Sequence, residues 1–298
     1  MYVDRHPFRV LVGIAVLASA LAADAACMEV IAHRGASGYL PEHTLPAYAL
    51  GYGLGAHWIE PDLVLTADDV PIALHDSTLE RTTDVATVYP DRRRDDGRYY
   101  ARDFAYVEIA RLRVVEPRPN RYPHATFHVP RLEDVLQLVH GLNRTTGRNV
   151  GVYPELKHPE LQPDLADVVV AVLSRYDVPV RLQSFDAHVL AKLATDHPRV
   201  QLVRNATQTE DGGLDQIATY AAGIGVSSFA LTDDATLVAR AHERGLLVHV
   251  FTLRADDERR GRFADEVIGL AAQGVDGVFT DHPDQVLAAL ESMPGCAR

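Results

Sequence analysis

The sequence predicts a parallel (β/α)₈ barrel, and three observations carry that expectation. From residue 28 onward, eight short apolar runs alternate with helical patterns and loops. Glycines often close the helical patterns. Histidines, cations and carboxylates gather at the carboxyl ends of the apolar runs, the end at which α/β folds place their chemistry. A doubly wound open sheet is the competing reading of the same rhythm.

Residues 1–26 precede that rhythm and read as a secretory signal. Arg5 and Arg9 come first, an apolar run covers 10–21, and small residues allow cleavage near Ala25. The mature protein, 27–298, is therefore expected to be exported and soluble, as one barrel domain. No later apolar run reaches membrane-spanning length, so no stable membrane insertion is expected. Strands are expected at 30–33, 57–66, 149–157, 180–185, 199–204, 223–228, 246–253 and 275–280. Apolar residues at helical spacing mark helices at 163–176, 188–197, 234–245 and 264–274. Residues 77–130 break the alternation. They are polar, charged and turn-rich, and read as an insertion between the second and third barrel strands, over the active face. Arg92, Arg93 and Arg94 lie there among Asp91, Asp95 and Asp96, which suits a solvated surface better than a phosphate site. Cys27 and Cys296 flank the barrel in sequence. Both positions fall near its amino-terminal face, where a bridge is geometrically reasonable, with two free thiols as the alternative.

The formal net charge of -12 argues against an extended nucleic-acid surface, so an anionic ligand must be held by a local cation cluster or a metal. Glu60 and Asp62 are two apart on an expected strand and so point to one face. Two inward carboxylates repel unless a cation lies between them. Pro61 removes a ladder donor, so pairing is expected to be ending there. The short turn after Thr66 permits only an antiparallel return. If it centres between Asp68 and Asp69, His75 lies opposite Asp62. Glu155 and Lys157 share a face near the end of the third strand, and His33 and Arg34 end the first. Glu60, Asp62 and Glu155 offer three hard oxygen donors, which favours calcium or magnesium over zinc. The set describes a metal-assisted site for a phosphorylated substrate.

The blocks "AHRGASGYLPEHTLPAY", "IEPDLVLTADDVPIALHD", "YPELK", "QSFD" and "GVDGVFTDHPD" together resemble the glycerophosphodiester phosphodiesterases, particularly the periplasmic bacterial kind, over nearly the whole mature chain. The resemblance implies a distorted (β/α)₈ barrel that hydrolyses small-molecule glycerophosphodiesters to sn-glycerol 3-phosphate and an alcohol, in the periplasm. It implies that Glu60, Asp62 and Glu155 bind a divalent metal, Ca²⁺ in the periplasmic relatives, with Mg²⁺ the lesser choice. His33 and His75 would be the acid/base pair, and Arg34 and Lys157 would hold the phosphoryl oxygens. Gln183, Phe185 and Phe251 are candidates to line a glycerol pocket, with packing as the alternative for the two rings.

Two neighbours depart from the family pattern. His43 stands where Asn is common, and "FTLR" ends in Arg254 where Asn is frequent; both bear on alcohol preference or loop support. Asp281 is read as a helix cap, with a supporting role beside the site for Asp281 and His282 as the alternative. Trp58, His158 and His249 are read as packing or surface residues. Two other functions compete: a barrel phosphodiesterase acting on intact lipids, and a non-catalytic periplasmic glycerophosphodiester-binding protein. The first needs an amphipathic membrane rim that the sequence lacks, and the second has no use for His33 and His75.

Overall fold

The computed structural model describes residues 27–115, 121–256, 262–293 and 296, so the expected signal segment 1–26 lies outside the described residues. The strands are β1 (Glu29–His33), β2 (Trp58–Glu60), β3 (Asp62–Leu65), β4 (Pro71–Ala73), β5 (Gly151–Val152) and β6 (Glu155–Leu156). They continue with β7 (Leu182–Ser184), β8 (Arg199–Leu202), β9 (Gly223–Ser227), β10 (Leu247–Leu253) and β11 (Gly277–Thr280). β1 pairs in parallel with β2 on one side and β11 on the other, so the sheet closes on itself. With β2/β3 and β5/β6 each counted as one strand, the ring has the eight parallel positions of a (β/α)₈ barrel. The open-sheet reading is excluded.

Pro61 and Pro154 account for the two broken strands, since neither can donate to a ladder. Pairing does not end at Pro61. It resumes at once between Asp62 and Glu155, which brings two of the expected metal ligands side by side.

The hairpin register is one residue away from the expected one. Leu65 pairs with Pro71 and Leu63 with Ala73, and the Leu74 N–H donates to the Asp62 carbonyl. Leu74, not His75, therefore lies opposite Asp62. The cause is the turn. Asp69 adopts a left-handed conformation with φ 57, and the Thr66 N–H bonds the Val70 carbonyl, giving a three-residue loop centred on Asp68.

Helices alternate with the strands. The longest among the described residues, Leu132–Thr146, presents Leu132, Val135, Leu136 and Val139 as a buried stripe at helical spacing. Gly147 ends it in the left-handed conformation, φ 74. The expected helices appear as Leu165–Leu173, Ala187–Lys192, Leu237–His242 and Phe263–Ala272, and Pro283–Glu291 closes the chain's last unit.

Two apolar layers lie between strands and helices, and a separate cluster of Ile31, Trp58, Tyr153, Val200 and Phe279 fills the barrel interior. Each such buried aliphatic or aromatic side chain contributes roughly 1.5–3 kcal/mol relative to exposure. Within 77–130, Leu79, Tyr99, Phe104 and Leu112 belong to a small core shared with Val64, Ile72 and Leu74 of the hairpin. Arg92 and Arg94 are half-exposed and pair with Glu108 and Asp103, as surface residues should. Arg121 and Tyr122 reach back to the carbonyls of Gly38 and Tyr39, tying this segment to the loop after β1. Cys27 and Cys296 are joined in a disulfide with a Cα–Cα distance of 5.5 Å.

Candidate active site

Strand periodicity builds the site. Alternate residues face the barrel interior, so each inward stripe that begins with a packing residue ends with a polar one. Ile31 leads to His33, Trp58 to Glu60, Tyr153 to Glu155 and Lys157, and Phe279 to Asp281. The aromatic plug thus fixes the depth at which the polar layer begins.

Above it lies a cavity of about 190 Å³ lined by His33, Arg34, Glu60, His75, Glu155 and Lys157. Gln183, Phe185 and Phe251 complete much of its wall, the two rings meeting edge-on with centroids 6.0 Å apart. Asp62 is buried beside it. The residues expected from sequence are therefore brought together.

Glycines shape the loop that carries Arg34. Gly35 has φ 85, and a Cβ there would lie 2.6 Å from the Ala47 backbone; a Cβ on Gly38 would strike the His282 ring at 2.3 Å. Arg34 itself is held at φ 56, a left-handed conformation that costs a non-glycine residue roughly 1–3 kcal/mol. Its own contacts hold it there: its N–H donates to Glu60 Oε2 at 2.8 Å, and its Nε lies 3.2 Å from Asp62 Oδ2.

Carboxylate oxygens of Glu60, Asp62 and Glu155 all lie within 4.8 Å of one another. Lys157 Nζ is 2.9 Å from Glu155 and 3.7 Å from Asp62, and His43 Nε2 is 2.9 Å from Asp62 Oδ2. Burial opposes the Asp62 charge, yet Lys157, Arg34 and His43 hold this carboxyl well below its usual range. Glu155 is pushed up to about 8 by burial and then by the Asp62 charge. Glu60 is driven well above its usual range by burial, Asp62 and Glu155. The neighbouring cations therefore suffice for one carboxylate and leave two under-compensated. Gln183 donates to Glu60 Oε1 at 3.4 Å while its own buried Oε1 has no partner. Three clustered hard oxygens short of positive charge fit a divalent cation.

Each histidine is oriented through Nδ1. His33 Nδ1 lies 2.7 Å from Asp281 Oδ1, and Arg254 Nε lies 2.7 Å from the other Asp281 oxygen. Burial, then Arg34, lowers the His33 pKa, so the ring is neutral near pH 7 and donates Nδ1–H to the ionised Asp281. This leaves the Nε2 lone pair available. His75 Nδ1 lies 2.6 Å from Asp76, which pairs with Arg81; Arg81 bonds Glu42, and Glu42 bonds Arg34. Burial opposes ionisation of Glu42, but Arg34, Arg81 and His43 hold it down at about 2. A single ion-pair chain thus connects the hairpin histidine to the loop arginine.

One assignment needs correction. Asp281 is not the helix cap; His282 occupies that position, and the Asp281 side chain serves His33. His43 does support the loop, its backbone N–H donating to the Arg34 carbonyl, and its ring, with a pKa lowered by burial to about 4, also bridges Asp62 and the Tyr48 hydroxyl. Arg254 supports Asp281 and lines the cavity. Trp58 and His249 are packed, His249 Nδ1 lying 2.8 Å from the Tyr153 hydroxyl. Asp281 was findable, because it continues the inward stripe from Phe279.

A closed parallel barrel with an acidic, cation-edged cavity at its carboxyl-terminal face defines the class: a (β/α)₈ enzyme. Residues 33–285 match the glycerophosphoryl diester phosphodiesterase family, and the chain belongs to that family of enzymes. It is 32% identical to a glycerophosphodiester phosphodiesterase of Haemophilus influenzae, over 86% of this chain and 87% of the relative. A Bacillus subtilis glycerophosphodiester phosphodiesterase is 31% identical, with 85% and 83% covered. Among solved structures, an Oleispira antarctica phosphodiesterase in complex with the product sn-glycerol-3-phosphate superposes with TM-score 0.71 at 25% identity, covering 89% of this chain and 98% of that one.

Proposed function

We propose that this protein hydrolyses glycerophosphodiesters to sn-glycerol 3-phosphate and an alcohol, with His33 and His75 as the proton carriers. The observation that carries the reading is the gathering of both histidines, Arg34, Lys157, Glu60 and Glu155 around one small cavity. Glu60, Asp62 and Glu155 would hold a divalent cation, calcium or magnesium by the chemistry of an all-oxygen donor set and calcium by the family resemblance, which when bound would supply positive charge to the phosphoryl oxygens. Arg34 and Lys157 add charge on the same oxygens and orient the phosphate.

His33, with Nδ1–H committed to Asp281, takes the proton of the attacking oxygen at Nε2. The attacking oxygen bonds to phosphorus as the phosphorus–oxygen bond to the alcohol breaks, and His75, entering the step protonated, gives its proton to the departing alkoxide. Each transfer is worth about 10²–10⁴-fold. Phe185 and Phe251 shield the glycerol side from water. The secretory pattern at 1–26 supports export to the periplasm, testable by recovering processed protein from that compartment. Among the described residues, no helix is long and apolar enough to cross a membrane.

The test is to incubate the purified chain with glycerophosphocholine, with and without calcium, and measure released glycerol 3-phosphate. Release that needs the cation is expected. Tight binding without release would favour a binding protein, and cleavage confined to acylated diesters would favour a lipid-acting enzyme.

A further inference from the structure

A second, more open hollow of about 690 Å³ adjoins the catalytic cavity and shares His75, Glu155, Lys157 and Phe185 with it. His33 lines the inner cavity but not this outer groove. The proposed proton donor therefore borders both spaces while the proposed base borders one. The departing alkoxide must lie beside the donor, so the groove is where the alcohol half of the diester extends.

The far wall carries Arg204. It continues the inward stripe of β8 two residues beyond Leu202, which lines the catalytic cavity. Its guanidinium stacks on Phe185, 4.2 Å from the ring centroid, and its backbone N–H donates to Gln208. Stacking fixes the plane of the guanidinium and leaves the edge donors unused.

The groove's carboxylates are committed elsewhere. Asp186 caps the helix Ala187–Lys192 through the Val189 N–H, and Glu160 lies 3.2 Å from His158 Nδ1. Glu155 is held by Lys157. Arg204 makes no ion pair among the described residues, in a chain of net charge -12 whose other cavity arginines, Arg34 and Arg254, are both paired.

We infer that Arg204, stacked on Phe185, recognises an anionic substituent on the leaving alcohol, so that the enzyme favours glycerophosphodiesters whose alcohol carries a carboxylate over those that lack it. This rests on the hydrolytic reading above and adds a substrate preference to it. A guanidinium pairs a carboxylate with two parallel hydrogen bonds, which gives direction as well as charge.

sn-Glycero-3-phosphoserine and sn-glycero-3-phosphoethanolamine differ only in that carboxylate, and their kcat/KM ratio reads the contact. The ratio is taken within one preparation, so the folded fraction cancels. The wild type should prefer the serine diester, and Arg204→Gln should lower the ratio about tenfold, with Arg204→Lys falling between. A ratio unchanged by Arg204→Gln, with both diesters cleaved, would overturn the inference while leaving hydrolysis standing. Cleavage of neither diester would overturn both.

Discussion

Asp281→Asn isolates the orientation of His33. In the native site one Asp281 oxygen faces His33 Nδ1 and the other faces Arg254 Nε, each at 2.7 Å. Asparagine keeps the shape but offers one acceptor and one donor. With its oxygen toward His33, its NH₂ meets the Arg254 guanidinium, donor against donor. With the amide turned round, its NH₂ faces Nδ1, so Nε2 must carry the proton and cannot accept another. Either arrangement forfeits a charge-assisted hydrogen bond, worth about 1.5–3 kcal/mol. That corresponds to roughly a 10–10²-fold loss in kcat, with little change in KM. The Asp281 charge also raises the His33 pKa against the lowering by burial and Arg34, so its removal should move the acid limb of kcat/KM to lower pH. Steady-state kinetics on glycerophosphocholine across pH provide the assay. A kcat within about threefold of wild type, with the acid limb unmoved, would refute the orienting role.

Three further outcomes are expected. His75→Ala should depress kcat by about 10²-fold or more while leaving the melting temperature nearly unchanged, because the side chain is partly exposed and lies at the cavity wall; near-normal turnover would free His75 from proton transfer. Reducing the Cys27–Cys296 bond, which spans 269 residues, should destabilise the fold by about 5.6 kcal/mol on the loop-entropy account; an unchanged denaturation midpoint would contradict it. Acid should weaken the fold through His249, whose pKa is lowered to about 4 by burial and then by Arg181. Its stabilising contribution is present above the unfolded value near 6.5 and is lost as pH falls toward 4, roughly 3 kcal/mol in all, because the unfolded chain takes up the proton first. His249→Gln should flatten that slope, and denaturant titrations from pH 7 to 4 would show parallel curves if the reasoning fails.

Much of the site was legible because strand periodicity projects widely separated residues onto one layer. His33, Glu60 and Glu155 each sit two residues beyond a packing side chain, and that pattern is local. The hairpin offset was not legible, since it turns on whether Asp69 takes the left-handed conformation, and a two-residue turn reads equally well in "TADD". The Asp281–His33 contact joins residues 248 apart across the closing seam of the barrel, so helix-start chemistry was the nearer reading of Asp281. The partnership of His43 with Asp62 depends on the left-handed backbone at His43, φ 58, which turns the ring inward.

The central claim is that Glu60, Asp62 and Glu155 converge on one divalent cation. Burial and mutual repulsion push Glu155 up to about 8 and Glu60 well above its usual range, so near pH 7 the metal-free cluster holds protons that a bound cation must displace. Titrating calcium into chelator-treated protein in buffers of differing ionisation enthalpy measures both quantities together. The expected result is one ion per chain with at least about one proton released, both lost in Asp62→Asn. Saturating calcium that gives no binding heat and no proton release, with catalysis intact, would contradict the account.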